Sequence, residues 1–222
     1  MPVWAIAIVL IALILSAGLL TRLGSGGTLD PAYCALALFF SINLLICYWE
    51  ACLFGRHANV EQRAPYWRER RAGGSSVAVE FLTARVPLGE ALSTTLWADV
   101  WAMYSVYDRS YVDRGSWGFN VDTANFVVTT VPSVLLLATY SDPFLPAMVA
   151  GVIGVALFWQ WLYATSVYVA SIFIAGSHTH LSRRELYLFV LAPNLPWLAS
   201  AVLGMYVSVR LIVDGSYAIL GV

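Results

Sequence analysis

Long, nearly uncharged apolar runs limit what this chain of 222 residues can fold into more than any other feature. A helix that crosses a bilayer needs about 20 predominantly apolar residues. Five runs come close to or exceed this length: residues 3–20, 32–54, 120–140, 144–175 and 186–211. With 60% hydrophobic and 11% charged residues, a water-soluble fold of this size could not bury its apolar surface. We predict an all-α integral membrane protein with five transmembrane helices, which excludes a soluble enzyme, a nucleic-acid binder and a disordered chain.

The second and third runs are separated by a long polar stretch. Residues 55–92 are rich in arginine, and residues 93–107 are amphipathic and aromatic. In the second segment aromatic side chains recur three to four residues apart, at Trp97, Trp101, Tyr104 and Tyr107. This spacing predicts a helix that lies at the membrane interface or closes the mouth of the bundle. We therefore divide the chain into a first helix with its turn (1–30) and a four-span domain (31–222) that includes the long amphipathic, aromatic loop 55–119.

Arginine placement predicts the orientation. Ten of the 12 basic residues fall in loops 55–119 and 177–185, and only Arg22 and Arg210 lie elsewhere. By the positive-inside rule, the N-terminus and both loops face the cytoplasm, so the C-terminus is outside or luminal. No basic segment or clear cleavage site flanks the first run, which predicts a retained helix rather than a signal peptide. We expect the endoplasmic reticulum in a eukaryote and the inner membrane in a bacterium.

Cysteine and histidine patterns do not predict a metal centre. The three cysteines, Cys34, Cys47 and Cys52, lie in or beside one apolar run, where buried thiols usually serve as packing residues. His178-x-His180 lacks a convincing third ligand for zinc. The net charge of −1 provides no overall field that would attract nucleic acid.

Three strongly polar residues interrupt the apolar runs: Glu50, Asp122 and Asn194. Ionisable groups in spanning helices usually face the bundle interior and mark a functional site. Simpler interpretations stay open for each residue. The helix dipole favours an acid such as Asp122 at a helix start, Glu50 can reach the headgroups or pair with a loop arginine, and Asn194 can join helices beside two prolines. The fourth run adds Gln160 and Thr165 among aromatic residues.

Paired carboxyl groups and aromatic rings in an apolar bundle suit carbocation chemistry. An apolar environment favours the protonated form of a carboxylic acid, which can then donate a proton at neutral pH. Protonation of a carbon–carbon double bond produces a carbocation, and indole and phenol faces stabilise cations. A second carboxylate can remove a proton elsewhere and so move the double bond. The same groups would bind a lipophilic amine, whose protonated nitrogen resembles the cation.

The order and spacing of several motifs resemble the emopamil-binding-protein-like (EXPERA) family. The motifs are Trp101-x-x-Tyr104-x-x-x-Asp108-x-x-Tyr111, the segment from Asp122 to Pro132, Leu162-Tyr163-Ala164-Thr165 followed by Tyr168, and Asn194-x-x-Trp197. The resemblance covers most of residues 35–212 and implies the same five-span plan.

The family includes a sterol Δ8–Δ7 isomerase and the sigma-2 receptor. In the isomerase an acidic pair protonates a sterol double bond and relays the proton, while an Asn and a Trp contact the cationic centre. The resemblance implies that Glu50 and Asp122 are the acid and the base, in an unassigned order, and that Asn194 and Trp197 stabilise the cation. It also implies substrate-binding roles for Trp49, Trp101, Tyr104, Asp108, Tyr111, Tyr163, Thr165 and Tyr168. The sequence departs from the isomerase pattern at Ile46 (a His there), Asp122 (a Glu) and Thr165 (an acid).

These features predict an isomerase that shifts a double bond in a sterol or polycyclic terpenoid. The reaction is redox-neutral, so we expect no cofactor and no metal. Expected partners are the lipophilic substrate and membrane lipids, and the aromatic surface leaves a homodimer open. Two alternatives remain. The Trp49-Glu50 pair also resembles small membrane-bound terpene cyclases, and Ile46 in the histidine position favours a non-catalytic sterol or lipid binder.

Overall fold

The computed structural model describes residues 1–222, apart from the side chain of Ser177. Five of the described helices are long and apolar enough to cross a membrane: α1 (Val3–Gly24), α2 (Pro31–Gly55), α6 (Trp117–Ser141), α7 (Ala147–Ile174) and α8 (Arg183–Asp214). The prediction of an all-α fold with five such helices is confirmed. Short 3₁₀ turns lie at Leu88–Glu90, Arg109–Val112, Ser177–His180 and Ala218–Leu220.

Capping residues determine where two of these long apolar helices begin. At the start of α2 the Asp30 carboxylate accepts a hydrogen bond from the backbone N–H of Ala32 (2.8 Å), and Pro31 occupies the first helical position. At the start of α6, Ser116 accepts from the N–H of Phe119 (3.2 Å). Because α6 begins at Trp117, Asp122 lies beyond the first turn, where the helix dipole acts weakly. The helix dipole therefore does not explain the acidic residue at position 122.

Much of the predicted loop 55–119 is helical. It contains α3 (His57–Ala72), α4 (Val77–Thr83) and α5 (Thr94–Tyr104). The helix α3 was not predicted, because its composition is polar. However, Val60, Ala64 and Trp67 are buried four and three residues apart and form the apolar side of a helix. In α5, Trp97 and Trp101 are buried one turn apart, and this helix packs on α2 and α3. These helices form a cap over one end of the bundle.

Ion pairs and hydrogen bonds fasten the cap. The Arg63 guanidinium donates to both Asp99 oxygens (3.1 and 3.0 Å), and the Trp67 indole donates to the same carboxylate (2.8 Å). Arg71 pairs with Glu185 at the start of α8 (2.9 Å). The first contact joins α3 to α5, and the second joins the cap to α8.

The opposite end of the bundle is closed by tight packing. A Cβ atom on Gly151 of α7 would lie 2.7 Å from the backbone carbonyl oxygen of Ser208 in α8, so only glycine allows this approach. Arg22 is fully buried at the same end. Its guanidinium donates to the carbonyls of Thr28 (3.0 Å), Tyr140 (3.1 Å) and Leu220, which joins α1 to the end of α6 and to the C-terminal turn.

Candidate active site

An apolar cavity of about 320 Å³ lies beneath the cap, between α2, α5, α6, α7 and α8. Seven of its 19 lining residues are aromatic, and the carboxyl, amide and hydroxyl groups among the others come from α2, α6, α7 and α8. Ten of the 12 residues that the sequence predicts for the site line it: Trp49, Glu50, Trp101, Tyr104, Tyr111, Asp122, Thr165, Tyr168, Asn194 and Trp197. Residues separated by up to 148 positions are thus brought to one space.

Glu50 is held in this cavity by a side chain that the sequence analysis missed. The Asn125 amide nitrogen donates to both Glu50 oxygens, at 3.0 and 2.8 Å, and Glu50 is only 2% exposed. The amide oxygen of Asn125 accepts from the Trp161 indole (3.0 Å) and the Thr129 hydroxyl (3.1 Å). Because the Trp161 indole can only donate, the amide oxygen faces it and the amide nitrogen faces Glu50. Glu50 therefore neither reaches the headgroups nor pairs with an arginine.

Asp122 enters the same cavity from α6. It is partly exposed and lines the cavity, and Tyr111 lies beside it. The charges of Asp122 and Glu50 are close enough to interact. Two carboxyl groups that interact in an apolar space titrate together, so one can be protonated while the other is ionised. An acid and a base are then present together.

The start of α8 is irregular where it borders the cavity. Residues Leu186–Leu191 are π-helical, and Pro193 has no N–H for the carbonyl of Phe189 four residues earlier. The Tyr104 hydroxyl donates to that carbonyl instead (2.7 Å). Asn194 donates to the carbonyl of Val190 (2.7 Å) in its own helix, so this bond does not join two helices. It fixes the Asn194 amide at the cavity wall.

Trp197 lies one turn further along α8 and does make an interhelical contact. Its indole N–H donates to the Asn43 side-chain oxygen in α2 (3.3 Å). Its ring packs edge-on against Phe39, with centroids 5.8 Å apart. The ring is thereby held against the cavity, where its face can stabilise a cation.

The aromatic residues of the cap complete the wall. The Trp101 indole donates to the carbonyl of Trp49 (2.8 Å), and the rings of Trp101 and Tyr111 lie 4.7 Å apart. Burial raises the pKa values of Tyr104 and Tyr111, so both phenols stay neutral at physiological pH. Neutral phenols can donate and accept hydrogen bonds beside the acidic pair.

Two predicted residues lie outside the cavity wall. Tyr163 is 55% exposed on α7 and stacks on Trp159, with ring centroids 6.3 Å apart. Asp108 lies behind Tyr168, whose hydroxyl donates to it (2.7 Å), and it lines a second, separate cavity. The motif spacing placed Asp108 near the site but could not show on which side of Tyr168 it lies.

Asn125 and Trp161 line the cavity without having been predicted. Asn125 follows Asp122 by three residues, and side chains three apart share one face of a helix. That spacing was available in the sequence. Trp161 belongs to an aromatic run on α7, but only the packing shows that it faces Asn125 while Trp159 and Tyr163 face outward.

Comparison of the chain with protein-family models, curated proteins and solved structures gives no match. The chemistry of the cavity residues is therefore the basis for assigning a function.

Proposed function

We propose that the protein is a membrane-embedded isomerase that moves a carbon–carbon double bond within a sterol or another polycyclic terpenoid. The observation that supports this most directly is the pair of carboxyl groups, Glu50 and Asp122, in one apolar cavity walled by aromatic rings. The proposal includes the kinship with the EXPERA family and a cytoplasmic position for the N-terminus and for loops 55–119 and 177–185.

The reaction needs one acid and one base. The protonated carboxyl group donates its proton to one alkene carbon, and the π electrons form the new C–H bond. The positive charge remains on the other alkene carbon. The ionised carboxyl group then removes a proton from a carbon next to that centre, and the C–H electrons form the new double bond. Each turnover adds one proton and removes one, so no oxidant or reductant is consumed.

Aromatic faces surround the position where the cation forms. Trp101, Trp161 and Trp197 line the cavity, and indole is the most effective side chain for cation–π attraction. Asn194 can direct its amide dipole toward the same centre. Such a wall stabilises the charged intermediate more than the neutral substrate, which is the requirement for catalysis.

The size and surroundings of the cavity fit a lipophilic ligand. A volume of about 320 Å³ is within the range of small-molecule sites, roughly 300–1,000 Å³. Val121 and Ala124 of α6 and Gln160 and Ala164 of α7 also border the cavity. Ala124 is exposed on the side of the bundle, so a substrate dissolved in the bilayer can enter between these helices.

One observation favours a second candidate, a non-catalytic binder of sterols or lipophilic amines. Ile46 lines the cavity, one turn before Glu50, where the family isomerase has a histidine. A site without that histidine keeps the acids and the aromatic wall, which are sufficient to bind a protonated amine.

The test is to incubate the purified protein with a Δ8-sterol in heavy water and to analyse the product by mass spectrometry. We expect a shifted double bond that carries one deuterium in wild type and in Glu61→Gln, an exposed control on α3. Glu50→Gln should give no such product. Unchanged sterol in every sample would rule out isomerisation of this substrate. If sterol or a lipophilic amine still raised the melting temperature, the binder would replace the isomerase, and consumption of an epoxide-bearing linear terpenoid would support a cyclase.

A further inference from the structure

A second cavity, of about 450 Å³, lies at the end of the bundle where α6 begins and α7 ends. It is more polar than the first and is lined by Asp108, Arg109, Ser110, Ser116, Ser171 and His180, among others. Arg109, Asp113 and Trp117 are exposed and border it, so water from the surface can enter. Tyr168 lines both this cavity and the candidate active site.

Tyr168 and Asp108 form the partition between the two cavities. The Tyr168 hydroxyl donates to one Asp108 oxygen (2.7 Å), and the backbone N–H of Ser110 donates to the other (2.9 Å). Asp108 is 7% exposed and Tyr168 is 6% exposed. The carboxylate therefore contacts the active-site wall on one side and the hydrated cavity on the other.

Tyr168 and Asp122 line the same cavity, together with the phenols Tyr104 and Tyr111. Tyr104 lies beside Tyr168, and Tyr111 lies beside Asp122. The rings of Tyr104 and Tyr111 lie 5.4 Å apart. A neutral phenol donates and accepts at once, so it can release one proton as it takes up another. A proton that the Tyr168 hydroxyl releases on its inner side therefore enters the cavity that Asp122 lines.

We propose that Tyr168 and Asp108 form a proton port that connects the acidic pair of the active site with solvent in the second cavity. The proposal rests on the proposed isomerase, because the port resets that acid and base. After each turnover the base holds a proton and the acid has lost one. The port lets the base release its proton to water and lets the acid take one up, so the acid is protonated and the base is ionised again, while the net charge of the pair is unchanged.

Each step in the port breaks one O–H bond and forms another. A proton that enters binds the Asp108 carboxylate, and that carboxyl group passes a proton to the Tyr168 oxygen as the Tyr168 hydroxyl proton moves inward. His180 borders the second cavity, and burial together with Arg109 and Arg71 lowers its pKa. The ring is then neutral at physiological pH, and a neutral imidazole can accept at one nitrogen and donate at the other.

The proposed port affects how fast the protons of Glu50 and Asp122 exchange with solvent. This exchange rate can be measured without any substrate. Protonated carboxyl groups have a carbonyl stretching band in the infrared that shifts when deuterium replaces the proton. The bands of Glu50 and Asp122 are identified by their loss in Glu50→Gln and Asp122→Asn, at an acidic pH that protonates both. The full-length protein in lipid vesicles is then switched from H₂O to D₂O, and the shift of these bands is followed in time.

We expect Tyr168→Phe to slow this exchange by about tenfold or more, because it removes the hydroxyl and keeps the ring. Asp108→Asn should do the same, since its amide oxygen can still accept from Ser110. The control is Tyr163→Phe, the same change on the exposed face of the same helix. If Tyr168→Phe and Asp108→Asn exchanged as fast as wild type, the proposed port would be overturned.

A second measurement separates failure of the port from failure of the isomerase. Protein equilibrated in H₂O is diluted into D₂O that contains the Δ8-sterol, and the first products are analysed. With the port intact they carry deuterium, whereas Tyr168→Phe should transfer retained protium to its first products. Slow exchange in the variants without any sterol product would support the port and contradict the isomerase. Exchange as fast as in wild type, together with formation of the sterol product, would contradict the port and support the isomerase.

Discussion

Buried polar groups have different surroundings at the two ends of the helical bundle. At the closed end, around Arg22 and Gly151, each polar contact of the Arg22 guanidinium is made to a backbone carbonyl. At the cavity end, around Glu50 and Asp122, carboxyl groups face a space. Helix α2 runs through both ends. A buried polar group that is enclosed by protein on all sides stabilises the fold, and one that also borders a cavity is available for chemistry.

The helix contacts explain how one bundle supports both arrangements. At the closed end, α7 and α8 pack closely through Gly151, Gly154 and Gly204, and a Cβ on any of them would overlap its neighbours. At the cavity end, α8 is interrupted by its π-helical segment and by prolines, and the rings of the cap fill part of the gap. Tight packing at one end provides the rigidity that an open site at the other end needs.

The largest expected effect separates two aspartates of α6, one at each end. We expect Asp122→Asn to lower the rate of double-bond isomerisation by roughly 10²–10⁴-fold, since it removes one member of the proton-transferring pair. Asp142→Asn, which changes the exposed C-terminal cap of the same helix, should leave the rate unchanged. The rates are compared by mass spectrometry of the sterol product. Equal losses of isomerisation rate in both variants would mean that Asp122 has no specific role in the reaction.

The sequence predicts the cavity end better than the closed end. The apolar runs match the five long helices within a few residues, because span length is a local property. Glu50 and Asp122 stand out because carboxyl groups are rare in such runs. The environment of Arg22 could not be predicted, because its partners Tyr140 and Leu220 are 118 and 198 residues away. The helix α3 was missed because its polar composition outweighed its apolar spacing.

The second prediction tests the closed end. Arg22→Met should lower the free energy of unfolding by about 3–5 kcal/mol, because the buried carbonyls of Tyr140 and Leu220 and the partly buried carbonyl of Thr28 lose a charged donor. Arg210→Met is the matched control, since Arg210 pairs with Asp214 on the same helix (2.8 Å) at an exposed position worth about 0.3–0.5 kcal/mol. Melting temperatures of the purified variants measure both. A similar small shift in both variants would show that the Arg22 contacts do not hold this end together.

The third prediction concerns the close approach of α7 and α8. Gly151→Ala should destabilise the protein by about 1–3 kcal/mol, because the new methyl group meets the backbone of Ser208 and the helices must separate. Gly24→Ala at the end of α1 has no atom within 4 Å of the new Cβ and should leave stability unchanged. Thermal unfolding distinguishes the two. An unchanged melting temperature in Gly151→Ala would mean that the closed end adjusts as freely as the cavity end.

The smallest expected effect is a pH dependence that arises at the cavity end, where all three histidines lie. His57 is 2% exposed in the cap, and its ring packs edge-on against Phe119 of α6, with centroids 4.9 Å apart. Burial lowers its pKa, and the nearby Glu61 carboxylate (3.7 Å) only partly opposes this. The unfolded chain, with a pKa of about 6.5, therefore takes up a proton more readily than the folded protein. Stability should fall as the pH drops below about 6.5 and should level off once the folded protein is protonated as well.

The variant His57→Gln isolates this effect from the other titrating groups. Melting temperatures of wild type and variant, compared between about pH 7 and pH 5, should diverge toward low pH, with wild type losing more. Parallel curves would show that His57 does not couple the cap to protonation. Hydrogen exchange can then locate the change. Because acid acts through His57 between α3 and α6, amides of the cap should exchange faster at low pH, while amides near Arg22 and Gly151 should keep their protection. Equal loss of protection at both ends would mean that the bundle opens as a single cooperative unit and that its two ends differ in chemistry but not in stability.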